Sequence, residues 1–417
     1  MHARLQSRAR LLSQCREFFN ARGVLEVETP LLSRTAVTDV HLASVNCDVA
    51  GVGRCYLQTS PEYPMKRLLS AGVGDCYQIC KVFRDGESGR NHHPEFTMLE
   101  WYRRGFDHHA LMDEVEALLG ALMGGVYTNP AERRSYASLF QEHFGLHPVT
   151  CPLSELEHLA RVIAGSEVPN SDRDTLLDLL MAVKIGPSLG HDRLVFVMDF
   201  PASQAALARL LPGDPPVAAR FEAYARGLEL CNGFHELADA AEQRRRFEAD
   251  LAARAARGLP AVPVDEDFLQ ALSSGLPDCA GVAVGLDRVL MVAWSEFGRR
   301  IKENNEVLKA FGAKPLSFSK VLATYAEAGE KLKPFVANTV VKLHEAMQRN
   351  AKIRANLAAI NKRVTANEEA RIQRLMNKVK KTSEPLTARE RREYLAIVHK
   401  AERKANKNVA AAASSAP

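Results

Sequence analysis

The sequence predicts an α+β domain, a mixed and mainly antiparallel sheet with helices packed on it, followed by a basic, partly helical C-terminal extension. Three observations lead there. Strand-like and helix-like segments interleave without a steady βαβ rhythm. Two runs rich in strand formers, Cys76–Phe83 and Phe96–Tyr102, flank a glycine-broken loop and read as an antiparallel pair. The charge is divided unevenly along the 417 residues: the net of +5 is the sum of −10 over residues 1–298 (29 Lys and Arg, 39 Asp and Glu) and +15 over residues 299–417 (26 against 11). The first part reads as acidic and globular, the second as basic and extended.

The elements follow in order. Leu5, Leu11, Leu12, Cys15, Phe18 and Phe19 recur at helical spacing over residues 4–21, and Gly23 stops that helix. After the antiparallel pair, Leu111, Val115, Leu118, Leu119 and Leu122 predict a helix over 107–122. Leu194–Phe200 is a short apolar strand ended by Pro201, and Glu242–Arg257 is a charged helix, mostly a solvated face. Glycine-spaced Gly281–Gly285 reads as a strand, with a helix from about Asp287 to Trp294. The boundaries expected are a domain over 1–296, a helical extension over 297–349 and a basic, partly helical or disordered tail over 350–417.

Several classes are excluded. No apolar run approaches the roughly 20 residues of a membrane span, and the N-terminus leads into an amphipathic helix rather than a signal peptide. The eight cysteines are scattered, and Cys76 and Cys80 stand too far apart on a strand for a zinc pair. Reduced thiols and a cytoplasmic location are expected.

The most informative stretch is Phe83-Arg84-Asp85-Gly86-Glu87-Ser88-Gly89-Arg90-Asn91-His92-His93-Pro94-Glu95-Phe96. Its arginine offers a planar fork of donors suited to phosphate oxygens. On charge and aromatic content alone, a solvated loop is the better reading. Resemblance changes that. The stretch resembles motif 2 of the class II lysyl-tRNA synthetases, and in detail that of their stand-alone relatives, the elongation factor P–lysine ligases. Gly23–Pro30 resembles motif 1, which carries a dimer contact. Thr59-Ser60-Pro61-Glu62-Tyr63-Pro64-Met65-Lys66-Arg67 resembles the segment lining the amino-acid pocket, Glu229–Leu237 the metal and substrate strand, and Gly281–Arg288 motif 3. Together these cover about residues 1–295.

The resemblance implies a class II synthetase-like catalytic domain, with ATP and Mg²⁺ used to activate lysine or (R)-β-lysine as an adenylate. It implies transfer of the acyl group to a lysine of elongation factor P, a homodimer, and no need for tRNA. Arg84 would contact the α-phosphate, with Asp85, Gly86, Glu87, His93, Glu229, Leu230 and Gly285 around the nucleotide and Arg288 on the γ-phosphate. Arg84, Glu229 and Arg288 carry the catalysis. Ser60, Glu62, Glu100, Tyr102, Glu236 and Ala283 line the amino-acid pocket. Glu229 and Glu236 are the carboxylates for magnesium, which favours one or two carboxylates plus phosphates. Seven residues apart, these two cannot share a face of a straight strand. Either Asn232-Gly233 bends the chain or they serve different ligands, and the family pattern assigns Glu229 to ATP and metal and Glu236 to the substrate amine.

The sequence departs from the family at His93, where relatives carry asparagine, and at Gly86, where many carry glutamate; Glu87 stands next to it. Ala283 replaces the glycine common in lysyl-tRNA synthetases, a one-carbon change of the kind that discriminates by about 1–3 kcal/mol. No anticodon-reading OB-fold precedes the helix that begins near residue 5. The brief apolar ending of the ligases does not follow motif 3. Instead, residues 301–346 are similar to an internal segment of adenylosuccinate synthetase that brings no catalytic residues. Two other readings stand beside the ligase. One is a truncated tRNA synthetase whose basic clusters, Lys378–Lys381 and Arg389–Arg392, contact phosphate backbones non-specifically. The other is a non-catalytic adaptor on a synthetase fold.

Overall fold

The structure is a computed structural model and describes residues 2–295 apart from 90, 125, 126, 128 and 166–170; the segments expected over 297–349 and 350–417 lie outside the described residues. Its elements are α1 (His2–Asn20), β1 (Leu25–Glu26), β2 (Leu32–Ser33), β3 (Asn46–Val49), β4 (Gly53–Leu57), α2 (Glu62–Ser70), β5 (Cys76–Phe83), β6 (Glu95–Arg104), α3 (His108–Leu122) and β7 (Glu132–Ser135). After these come α4 (Tyr136–Phe144), α5 (Leu153–Ala164), α6 (Arg173–Leu180), β8 (Val195–Pro201), β9 (Leu210–Leu211), β10 (Val217–Ala225) and β11 (Leu228–His235). The last are α7 (Ala240–Ala256), α8 (Glu266–Gly275) and β12 (Cys279–Gly285). A ninth helix, α9, occupies residues 286–295.

Nine strands form the main sheet in the order β1-β5-β6-β12-β11-β10-β8-β7, with β9 paired to β10. Only the edge pairs β1–β5 and β7–β8 are parallel, and the remaining ladders are antiparallel, as the sequence predicts. A small separate sheet joins β2, β4 and β3.

The period of two along a strand gives this sheet two unlike faces. One face carries Tyr77, Leu99, Trp101, Phe221, Ala223, Val282 and Val284, which pack with residues of α1 and α3 into the largest apolar core. Phe19 of α1 is the wedge: its ring stacks on Tyr77 at 4.4 Å and meets Trp101 edge-on at 5.2 Å. The buried indole of Trp101 donates to Glu114 of α3 at 3.0 Å, so the one polar atom of that ring is satisfied. Asp107 caps α3 by accepting from Ala110 N–H at 2.8 Å.

The opposite face alternates with the first and is polar. By register it presents Gln78 and Cys80 on β5, Met98, Glu100 and Tyr102 on β6, and Gly281, Ala283 and Gly285 on β12. Asn232 on β11 and Glu222 on β10 continue the same row. Helices α2, α7 and α8 cover one end of this face through Met65, Leu69, Phe247, Phe268 and Leu272. The charged helix expected to be mostly solvated is therefore two-sided, because Gln243, Phe247 and Arg254 of α7 are buried. A third cluster joins α4, α5 and α6 to β8 and β10.

The ladder between β10 and β11 slips once: Ala223 pairs with Cys231 but Tyr224 with Glu229, leaving Leu230 as the extra residue of a bulge. Leu230 and Cys231 both enter the core beneath the sheet. The bulge moves Glu229 onto the face that also carries Asn232, Phe234 and Glu236. The strand is bent at Leu230, not at Asn232-Gly233, and the two glutamates share a face after all.

Gly233 lies on the core side, where an added Cβ would sit 2.5 Å from the Phe221 ring and 3.0 Å from Val282. Gly233→Ala is expected to lower the unfolding free energy by about 1–3 kcal/mol, measured as a shift in the urea midpoint.

Candidate active site

A cavity of about 2000 Å³ opens over the polar face. That exceeds the roughly 300–1,000 Å³ of a drug-sized pocket, and leaves room for more than one substrate. Arg84 and Arg288 line one end of its wall, and Glu62, Glu100 and Glu236 line the other.

The arginine end is built from the β5–β6 loop and the start of α9. Arg84 follows β5, its N–H donating to Pro94 O at 2.9 Å across the loop. Its guanidinium lies 5.2 Å above the Phe96 ring and 3.6 Å from Glu87. Its Nε–H is buried and, among the described residues, has no acceptor. Arg84 lines the cavity, and its guanidinium fits an anionic ligand there.

Arg288 lies across the cavity from Arg84, on the first turn of α9. It donates to the Glu229 carbonyl at 2.8 Å and lies 3.4 Å from the Glu229 carboxylate. Its other Nη lies 2.7 Å from His92 Nε2, and since a guanidinium can only donate, the imidazole nitrogen is the acceptor. The neighbouring Asp287 anchors this turn, accepting from Arg8 at 2.6 Å and from Thr97 N–H at 2.7 Å. Gly285 leaves open space, with Leu230 O 3.9 Å from where its Cβ would be.

Of the nucleotide-side residues, Glu87, His93, Glu229, Leu230 and Gly285 line the cavity, and Asp85 and Gly86 do not. Asp85 and Gly86 are exposed and absent from the cavity wall. The Asp85 carboxylate accepts from Gly86 N–H at 2.9 Å, and Gly86 takes a φ of +76° that only glycine adopts without strain. They shape the turn that presents Arg84. The Leu230 side chain lies in the core, so it offers the cavity only backbone. His93 lines the cavity, but its Nδ1 sits 2.8 Å from the Glu95 carbonyl. The imidazole that reaches motif 3 is His92, which the sequence reading passed over. Glu87 and Glu229 line the wall as expected.

The glutamate end lies beside α2. Glu100 is 2 % exposed and accepts from Ser60 Oγ at 2.7 Å and from Tyr102 OH at 2.7 Å. Burial pushes its carboxyl up to about 7, and the Glu62 carboxylate adds to the shift. Glu236, just past the end of β11, is 1 % exposed. Burial pushes its carboxyl up to about 8 even though Lys66 opposes the shift. Lys66 of α2, part of the segment expected to line the amino-acid pocket, bridges Glu62 and Glu236 at 2.6 Å each. Ala283 lies between the two ends on β12, beside Asn232 and Glu100.

The metal expectation also changes. Glu236 is already bound to Lys66, and along the strand it stands about 20 Å from Glu229. The carboxylate beside Glu229 is Glu222, one rung away on β10. Burial pushes Glu222 up to about 7; Arg220, 2.5 Å away, opposes this, and the nearby Glu229 charge adds to it. Glu222 itself is held by Arg220 at 2.5 Å and by Tyr224 OH at 2.7 Å. Among the described residues no cluster of three or more His, Cys, Asp or Glu is arranged to hold a metal ion.

The same motifs carry the likeness to known proteins. A family model of the class II tRNA synthetases (D, K and N) matches residues 1–299. The chain is 51 % identical over 301 residues to the elongation factor P–(R)-β-lysine ligase of Vibrio cholerae serotype O1, covering 70 % of this chain and 92 % of that protein. The chain belongs to the class II tRNA synthetase family. Within this class II family it is also similar to the ligases of the same name from Klebsiella pneumoniae, at 49 % over 296 residues (69 % and 90 % covered), and from Edwardsiella ictaluri, at 51 % over 300 residues (70 % and 91 %). The matched region coincides with the acidic part of the chain. All eight cysteines are unpaired, and among the described residues no helix is long and apolar enough to cross a membrane.

Gly281 sits on the cavity face of this class II fold, where an added Cβ would lie 2.2 Å from the Tyr102 ring and 2.6 Å from Glu236 Oε1. Gly281→Ala is expected to displace both groups and raise the KM for the amino acid at least about tenfold. Pyrophosphate exchange at varied amino-acid concentration measures it.

Proposed function

We propose that the chain is an ATP-dependent, AMP-forming ligase that activates (R)-β-lysine and transfers it to the ε-amino group of a lysine of elongation factor P, in the cytoplasm and as a homodimer. The observation that carries this reading is the division of one cavity into an arginine-lined end and a floor of buried carboxylates. The first suits a triphosphate, the second a diamino acid. The names of the relatives favour a protein acceptor over tRNA.

In the first step the substrate carboxylate oxygen forms a bond to the α-phosphorus, and the bond from that phosphorus to the α–β bridging oxygen breaks, releasing pyrophosphate. The nucleophile is already ionised, so no general base is required, and positioning and charge neutralisation supply the rate. Arg84 is placed for the α-phosphate and Arg288 for the far end of the triphosphate. Both are pre-positioned: Phe96 lies against the Arg84 guanidinium, and Glu229 and His92 hold Arg288. Glu229 would hold magnesium, which supplies further neutralisation of phosphate charge. In the second step the acceptor amine nitrogen forms the amide bond, the acyl–oxygen bond to AMP breaks, and the amine gives up a proton.

The substrate ammonium groups belong with Glu62, Glu100 and Glu236. Ser60 and Tyr102 orient Glu100 and leave its charge facing the cavity. Alanine at position 283 narrows the floor between the two ends, in keeping with a β-amino isomer. Residues 1–296 are the catalytic unit in this reading, with residues 297–417 outside the chemistry.

Three outcomes test the proposal. Arg84→Ala is expected to reduce pyrophosphate exchange with β-lysine by at least about 10²-fold with an unchanged circular dichroism spectrum. Exchange near the parent level would refute the assignment of Arg84. Burial pushes the Glu100 carboxyl up to about 7. It must lose its proton to receive an ammonium group, so kcat/KM for the amino acid should rise between about pH 6 and 8; a profile flat over that range counts against the pocket. Removal of residues 299–417 should leave exchange within about threefold of the full chain.

A further inference from the structure

Lys66 has no part in the chemistry above, and it is absent from the cavity wall. It is 1 % exposed, among the most buried charges of the described residues. Its place is dictated by α2, where the four-residue spacing puts it one turn above Glu62. Its second partner, Glu236, arrives from the end of β11. Its ammonium lies 5.8 Å from the Phe268 ring centre. Burial alone would strip its proton, but the Glu236 and Glu62 carboxylates outweigh burial and push its pKa up. Lys66 is therefore a permanent internal cation.

Three carboxylates share this floor: Glu62, Glu100 and Glu236. One lysine neutralises one of them, so the ionised floor lacks two positive charges. Unpaired buried carboxylates are costly, and in the absence of a cation they take up protons instead. An amino acid with two ammonium groups balances the floor. One with a single ammonium leaves a carboxyl that must stay protonated.

We propose that Lys66 is a positioning and specificity-determining residue that sets the charge deficit of the amino-acid pocket at two and thereby selects ligands by their number of ammonium groups. It also ties α2 to the end of β11, holding Glu62 and Glu236 at a fixed spacing. Glu236 Oε2 faces Lys66, while Oε1 points over Gly281 toward the pocket. This inference rests on the reading that the pocket takes a diamino acid.

The test compares the full-length parent, Lys66→Met and the double variant Lys66→Met/Glu62→Gln. Each is assayed by pyrophosphate exchange from about pH 6 to 9, with β-lysine and with a monoamino acid of equal length. Melting curves report the folded fraction. Lys66→Met is expected to raise the KM for β-lysine at least about tenfold, leave kcat within about threefold, and move the rising limb of the pH profile to higher pH. The double variant restores a deficit of two but lacks one ammonium partner, so it should bind β-lysine better than Lys66→Met without reaching the parent, return the pH limb and still reject the monoamine. Removing Glu62 would also restore the stability of a merely structural ion pair, so the discriminating readouts are the pH limb and the rejection of the monoamine.

Parental KM and pH limb in Lys66→Met would overturn the inference. So would a folded double variant that binds no better than the single one, or that accepts the monoamine. Should Lys66→Met not fold, the double variant alone decides, through its amine preference. A parent that exchanges with no diamino acid refutes the functional reading itself, and this inference falls with it.

Discussion

A single sheet with two unlike faces is the constraint on which everything else in this domain depends. Alternation along five antiparallel strands sends Tyr77, Leu99, Trp101 and Val282 to one side and Gln78, Glu100, Tyr102 and Gly281 to the other. The first set is sealed by α1 and α3, and that burial is what holds the sheet flat against its helices. The second set faces a cavity and consists largely of groups that would be intolerable in a core. A scaffold rigid on one side can keep charged groups in fixed positions on the other, which is what transition-state neutralisation requires.

The polar face is arranged along the strands rather than around a point. Arg84 and Arg288 stand where β5 and β12 end, beside the β5–β6 loop. The glutamates of the opposite pocket stand toward the α2 end. This separation explains why Glu229 and Glu236 serve different groups although they share a face. Glu229 works with Arg288, and Glu236 with Lys66. Small residues at 281, 283 and 285 keep the central strand low enough for substrates to lie across it. At Gly281 the space is already filled by the Tyr102 ring and the Glu236 carboxylate, so the glycine there is a packing requirement and not a matter of backbone conformation.

Much of this was legible from residue order. The helix ahead of Gly23, the helix from Asp107, the antiparallel pair around the Arg84 loop and the strand–helix of Gly281–Trp294 all appear within a few residues of their expected places. Their hydrophobic periods are unambiguous, and their breakers are glycine or proline. The motifs placed Arg84, Glu100, Tyr102, Glu229, Glu236 and Arg288 around one cavity. The resemblance puts Asp85 and Gly86 beside the nucleotide, whereas in the folded turn they are exposed and lie off the cavity wall. Only the path of the loop decides that His92, and not its neighbour His93, meets Arg288.

The chain alone determined the α+β class, the order of the elements and the residue types that a carboxylate-activating site needs, because periodicity and turn chemistry are local properties. Tertiary structure decided the pairings. A one-residue bulge at Leu230 reversed the facing of Glu229, and the approach of α2 to the end of β11 made a buried ion pair of Lys66 and Glu236. Register slips and contacts across 170 residues leave no local signature, since they arise only when separate strands and helices compete for the same space.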